Sequence, residues 1–150
     1  MDIQTTVERQ REYFQSGATR SYAFRRDALQ RLQQALHNYE GRIFDALLED
    51  LGKPPMEAYM TEIGSVFEEL RFNLRHLRGW MRNKRVPTPL AQFHSISFIS
   101  PEPYGVVLIM VPWNYPFLLT FEPLIGAISA GNCAMIKPSA YAPASSQVIA

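Results

Sequence analysis

Val106-Val107-Leu108-Ile109-Met110-Val111, then the loop Pro112-Trp113-Asn114-Tyr115-Pro116, a helical stretch over Leu118–Ala130, Gly131-Asn132 and Cys133-Ala134-Met135-Ile136 decide the fold. An unbroken apolar run between turn signals reads as a strand buried on both faces of a parallel sheet. Gly131 stands where a helix C-terminal glycine belongs, and the second apolar run reads as another short buried strand. Pro138-Ser139-Ala140-Tyr141-Ala142 is a loop, and Pro143 suits the first turn of a new helix. Residues 105–150 therefore read strand, loop, helix, strand, loop, helix, one right-handed crossover of a doubly wound α/β sheet. No repeat or low-complexity tract interrupts the chain.

Upstream the grammar differs. Val86-Pro87-Thr88-Pro89 is an extended linker, since residues before proline avoid the helical region. Ile96 and Phe98 alternate with Ser95 and Ser97, so Phe93 to Ile99 is expected to be a half-buried strand. Pro101-Glu102-Pro103-Tyr104-Gly105 is a turn. The first 85 residues read as helices. Ile3, Val7, Gln10 and Phe14 mark a short segment ending before Ser16-Gly17. Phe24, Ala28, Leu32, Ala35, Leu36 and Tyr39 mark a second, in which Gly41 is a candidate break or kink before Ile43, Leu47, Leu48 and Leu51. Gly52 and Pro54-Pro55 end that helix. Tyr59, Ile63, Phe67, Leu70, Leu74, Leu77 and Met81 form the stripe of a third, read as core packing. The basic run Arg71, Arg75, Arg78, Arg82, Lys84 and Arg85 reads as a solvated face at its C-terminal end.

Charge divides the chain in the same place. Of 15 Lys and Arg and 14 Asp and Glu, only Glu102, Glu122 and Lys137 lie beyond residue 85, as do all of the 11 prolines except Pro54 and Pro55. A net charge of +1 offers no polybasic footprint for nucleic acid, and 47% hydrophobic residues exclude a disordered chain. One cysteine forms no internal disulfide, and no Cys/His spacing points to a metal. Met1-Asp2-Ile3-Gln4 lacks a basic stretch and an apolar run, so the cytoplasm is the default compartment. The uncharged stretch Pro103 to Phe121 has the length of a bilayer span, but Pro112, Asn114 and Pro116 break it, so no membrane helix is expected. The charge-poor half is expected to be interior, covered by polypeptide outside this sequence.

In open α/β sheets ligands bind at the carboxyl ends of the strands, which singles out the loops after Val111 and Ile136. Lys137 is the only cation after residue 85 and stands at a strand end. Its ammonium suits ribose hydroxyls or phosphate oxygens, or simply reaches solvent. Asn114 offers a carboxamide N–H to a developing oxyanion, or closes its own turn. No Gly-x-Gly-x-x-Gly follows Val111, so the usual dinucleotide fingerprint is absent. Cys133 begins an apolar strand with no basic partner in sequence and reads as a buried structural cysteine. His37 and His76, on helices, and His94, on the strand, have no ligand spacing.

Tyr104-Gly105-Val106-Val107, Pro112-Trp113-Asn114-Tyr115-Pro116-Phe117, Gly126-Ala127, Gly131-Asn132 and Lys137-Pro138-Ser139 together resemble the aldehyde dehydrogenase superfamily. Ser16-Gly17-Ala18-Thr19-Arg20 and the helical half resemble its class 3 branch. The resemblance covers nearly all of the chain but about the first third of such an enzyme. It implies an N-terminal helical segment, 1–85, packed on the cofactor domain. A linker and edge strand, 86–104, would be a candidate oligomerisation element, followed by the start of an NAD(P)-binding Rossmann-like sheet, 105–150.

By the same resemblance Asn114 matches the asparagine that helps hold a thiohemiacetal oxyanion, and Lys137 the lysine on the adenine-side ribose of NAD or NADP. Pro112 and Trp113 match the loop along the cofactor, and Tyr115, Leu118 and Leu119 the lining of the aldehyde channel. The implied enzyme oxidises aldehydes to carboxylic acids through a cysteine adduct and a thioester, its nucleophile and glutamate base lying outside this chain, and is expected to be a homodimer. Cys133 does not occupy the nucleophile's motif, so the 150 residues alone are expected to be inactive. Where NAD-preferring members commonly carry glutamate, this chain has Ala140. Without that carboxylate NADP is expected to be tolerated or preferred, with Lys137 and Ser139 facing its 2′-phosphate. A catalytically inactive module acting only in subunit association is the alternative, and a coenzyme A-acylating relative is disfavoured by the Trp113-Asn114-Tyr115-Pro116 loop.

Overall fold

The computed structural model describes residues 2–150. Helix α1 spans Ile3–Gln15, its first turn capped by the Asp2 carboxylate on the Thr5 amide, and Gly17 at φ 76° ends it. Helix α2 runs unbroken for 30 residues, Tyr22–Leu51, from a Ser21 cap on the Phe24 amide to Gly52 at φ 66°. Gly41 does not break it. A mid-helix glycine costs only about 1 kcal/mol relative to alanine, and Leu29, Leu36, Ile43 and Leu47, all buried, hold the helix on both sides of that residue.

The third expected helix is composite. Helix α3, Pro55–Ala58, starts with proline in its first turn; a widened π-type turn follows at Tyr59–Ile63; helix α4 is Gly64–Trp80. A Cβ on Gly64 would stand 2.9 Å from the Tyr59 carbonyl oxygen, so this turn has room only for glycine there. The apolar stripes of α2 and α4 meet in one core with Phe117, Phe121 and Ile125. Burying a large aliphatic or aromatic side chain contributes roughly 1.5–3 kcal/mol, which outweighs the weak intrinsic preference of helices for these residues.

Strands β1, Lys84–Val86, and β2, Ser97–Ile99, form an antiparallel ribbon in which Lys84 faces Ile99 and Val86 faces Ser97. The expected strand from Phe93 is thus shortened. His94 lies in a turn at φ 79°, not on a strand. Nor is β2 half-buried: Phe98 and Ile99 are 54% and 59% exposed, because no second layer of this chain lies on them.

Strands β3, Val106–Met110, and β4, Cys133–Lys137, pair in parallel from Val106 opposite Cys133 to Met110 opposite Lys137. Helix α5, Leu118–Ala130, connects them and ends on Gly131 at φ 89°; helix α6, Pro143–Ile149, follows β4. This β–α–β unit and its following helix agree with the sequence expectation. Burial on both faces does not. Ile109 is buried, but Leu108 and Met110 alternate with it at 60% and 71% exposure, because α1 covers only part of that face.

Helix α5 is fastened to the helical segment at both ends. At its C-terminus, Arg25 donates from Nε to the Thr19 carbonyl at 2.9 Å and from Nη1 to the Ser129 carbonyl at 3.1 Å. The Thr19 hydroxyl donates to the Gly131 carbonyl at 2.7 Å, and the Ser129 hydroxyl to Asn73 at 2.7 Å. A cation and donors suit the negative end of a helix and satisfy carbonyls that would otherwise be buried unpaired. A Cβ on Gly131 would lie 2.4 Å from Arg25 Nη2, so this contact too requires glycine. The N-terminus of α5 meets Glu62, as described below. Among the described residues, no helix is long and apolar enough to cross a membrane.

Candidate active site

The loops after β3 and β4 lie side by side, joined where the Val111 amide donates to the Lys137 carbonyl at 3.1 Å. In the first, Pro112, Trp113, Asn114 and Tyr115 are exposed while Pro116 and Phe117 are buried. Leu118 and Leu119, half-buried, form the first turn of α5 beside Tyr115. The strand end, the loop and the helix start thus present Asn114 and Tyr115 outward on a buried footing. Among the described residues the Asn114 carboxamide makes no hydrogen bond, so it is not spent on closing its own turn. Asn114 is exposed, so its side-chain N–H donors are open to an acceptor oxygen.

The second loop begins with Lys137, whose exposed ammonium, among the described residues, reaches only the Pro138 carbonyl, at 3.4 Å. Ser139 is buried; its Oγ accepts the Tyr141 amide at 3.2 Å and its carbonyl accepts the Ser146 hydroxyl at 2.7 Å. Ser139 therefore shapes the turn and keeps one hydroxyl proton to offer a ligand. Ala140 is exposed and brings no carboxylate near Lys137. A free ammonium without a competing anion is the donor set that a ribose diol or a phosphate requires, so these residues fit a dinucleotide.

The other titratable groups stand apart from these loops. Cys133 opens β4, at the opposite end of that strand from Lys137 and roughly 13 Å away at the usual rise per residue. Burial pushes its thiol pKa up, which disfavours the thiolate and agrees with a structural cysteine. His37 stacks on Phe67, His76 lies between Phe72 and Trp80, and His94 is tilted against Phe93. Among the described residues no group of three or more His, Cys, Asp or Glu could hold a metal ion.

Two acidic residues of the helical segment reach these loops, and the sequence reading passed over both. Glu62, fully buried, accepts the Phe117 and Leu118 amides at 2.9 and 3.2 Å and pairs with Lys53 at 2.6 Å. Asp50 accepts the Ala144 and Ser145 amides at 3.1 and 2.7 Å, at the start of α6. The one available signal was Glu62 itself, a charge beside Ile63 at the start of an otherwise apolar stripe.

The model of the aldehyde dehydrogenase family matches residues 1–150. The chain belongs to the aldehyde dehydrogenase family. It is 47% identical over 137 residues to 4,4'-diaponeurosporen-aldehyde dehydrogenase of Staphylococcus aureus, covering 91% of this chain and 30% of that protein. It is 45% identical over 134 residues to human aldehyde dehydrogenase family 3 member B1, covering 89% and 29%. A solved structure described as the substrate-bound state of Staphylococcus aureus AldH superposes with a TM-score of 0.94 at 45% identity, over 99% of this chain and 33% of that one. This aldehyde dehydrogenase chain thus spans about 30% of the length of the curated relatives it matches, and family 3 members among them agree with the class 3 resemblance.

Proposed function

We propose that these residues are the N-terminal part of an NAD(P)-dependent aldehyde dehydrogenase that oxidises aldehydes to carboxylic acids, with Asn114 in the oxyanion hole. The observation that carries this reading is an unspent, exposed carboxamide on a buried footing at the carboxyl end of β3, inside a family match over the whole chain. When an aldehyde carbonyl is attacked by a cysteine thiolate supplied from elsewhere in the enzyme, negative charge develops on its oxygen. A fixed carboxamide N–H stabilises that charge without titrating. Tyr115, Leu118 and Leu119 would line the aldehyde's approach. Lys137 would hold the cofactor's ribose or phosphate, with Ser139 beside it and the Pro112-Trp113 backbone alongside. The bound nicotinamide dinucleotide supplies the hydride acceptor. The 1–85 segment acts as the helical support of the cofactor domain that begins at 105, and the exposed 86–104 ribbon is the candidate contact in a homodimer.

The test is aldehyde-dependent formation of NADH or NADPH by the full-length polypeptide carrying this segment. Asn114→Ala is expected to lower kcat by roughly 10²–10³, the usual cost of removing one oxyanion donor, while cofactor affinity is kept. Full-length protein that reduces neither NAD nor NADP with any aldehyde would overturn the reading and favour the subunit-association module.

A further inference from the structure

The Asn114 loop has a difficulty of its own. An oxyanion donor works only if its position is set before the charge appears, yet Pro112 and Pro116 deprive this loop of two backbone donors and Asn114 and Tyr115 are exposed. Besides the Leu119 amide on the Tyr115 carbonyl and the Thr120 hydroxyl on the Pro116 carbonyl, its fastening comes from outside, through Lys53 and Glu62. Lys53 follows Gly52 at the end of α2, and Glu62 sits in the widened turn before α4. The wide turn sets Glu62 facing α5, where both carboxylate oxygens are used: Oε1 accepts from Lys53 at 2.6 Å, and Oε2 accepts from the Phe117 and Leu118 amides. Lys53 in turn donates to the Asn114 carbonyl at 3.1 Å and lies 4.0 Å from the centre of the Tyr115 ring. One ion pair therefore grips the loop at two points, at Asn114's own carbonyl and at the start of the helix that follows.

We propose that Lys53 and Glu62 are positioning residues for aldehyde oxidation, holding the Asn114 carboxamide where the oxyanion forms; the inference rests on the functional reading given above. Neither side chain needs to touch the substrate. Burial of the pair and the number of donors that converge on Glu62 exceed what a helix cap requires, since the Asp50 cap of α6 takes two amides and no cation among the described residues.

The experiment is a double-substitution cycle in the full-length enzyme. Glu62→Gln keeps the shape and one acceptor oxygen but releases the lysine. It is expected to lower kcat by tenfold or more with KM for the aldehyde changed less than threefold. Placed on Asn114→Ala, the same substitution is expected to change kcat less than twofold, because its target is gone. Lys53→Arg, which keeps the charge and the donors, is expected to recover most of the activity that Lys53→Met loses. A folded Glu62→Gln enzyme with wild-type kcat, or losses that multiply in the double variant, would overturn the proposal. Hydrogen exchange in the unmodified enzyme tests it without any variant. The Phe117 and Leu118 amides are expected to be strongly protected, and exchange as fast as that of the Trp113 amide would also overturn it. Unmodified enzyme with no activity on aldehydes would instead defeat the functional reading itself, while exchange would still report on the clamp.

Discussion

The loops after β3 and β4 occupy equivalent places at the carboxyl ends of neighbouring parallel strands, and each leads into a helix whose first amides rest on a carboxylate from the helical segment. There the likeness ends. Glu62 under the first loop is fully buried and ion-paired, and its lysine also holds the loop carbonyl. Asp50 under the second is half-buried and has no cation among the described residues, while Lys137 above it stays free. Under the function proposed above, the difference would suit two kinds of work. Stabilising a developing charge requires a donor that does not move, whereas gripping a flexible dinucleotide would be served by a long side chain that can adjust.

Substitutions can break this contrast, beginning with the strongest. Lys53→Met leaves Glu62 buried without its cation and is expected to destabilise by about 3–5 kcal/mol, as breaking a buried pair on one side does. The midpoint of denaturant unfolding of the full-length protein measures it, and Glu62→Met added to Lys53→Met is expected to recover part of the loss. Ala140→Glu acts on the other loop and on selectivity. A carboxylate near Lys137 repels a 2′-phosphate and accepts from a ribose diol, so the ratio of kcat/KM for NAD to that for NADP is expected to rise roughly tenfold, the effect of about 1.4 kcal/mol, with unfolding unchanged.

Asp50→Ala removes a helix cap without stranding a charge. Its cost is expected to be about 1 kcal/mol, well below that of Lys53→Met in the same unfolding assay; equal costs would erase the contrast between the two loops. The smallest effect concerns Glu122 on α5, whose carboxyl pKa is raised first by burial and then by Glu69. The folded state holds this proton more tightly than the unfolded chain. Stability is therefore expected to fall as pH rises from the ordinary carboxylate range toward the raised value, and to stay lower above it. Glu122→Gln is expected to flatten that part of the stability–pH curve and to gain slightly at neutral pH.

The sequence carried the β–α–β unit well, since period and punctuation are local properties. Val106–Met110, Leu118–Ala130 and Cys133–Lys137 are bounded by Gly105, Gly131 and prolines that act within a few residues. Local grammar misled at Gly41, where packing over 30 residues outweighs one poor helix former. It misled again at Phe93–Ile99, where the alternation is present but nothing in the chain covers it. Asn114 and Lys137 were legible as candidates because strand ends are privileged places in this architecture. Lys53 and Asn114, 61 residues apart, were not legible as a contact, because no periodicity records which side chains meet across a fold.

By itself, then, the amino-acid order determined the element types, the parallel pairing and the family, through hydrophobic period and motif spacing. Tertiary structure alone decided which charges serve the helix ends beside the candidate site. Nothing in the spacing of the charges in the first 85 residues sets Glu62, Lys53, Asp50 and Arg25 apart, yet these four turn inward to the ends of α5 and α6. The reason is the helix terminus. Its unpaired amides and carbonyls need charged partners once buried, and only folding brings those partners from distant parts of the chain.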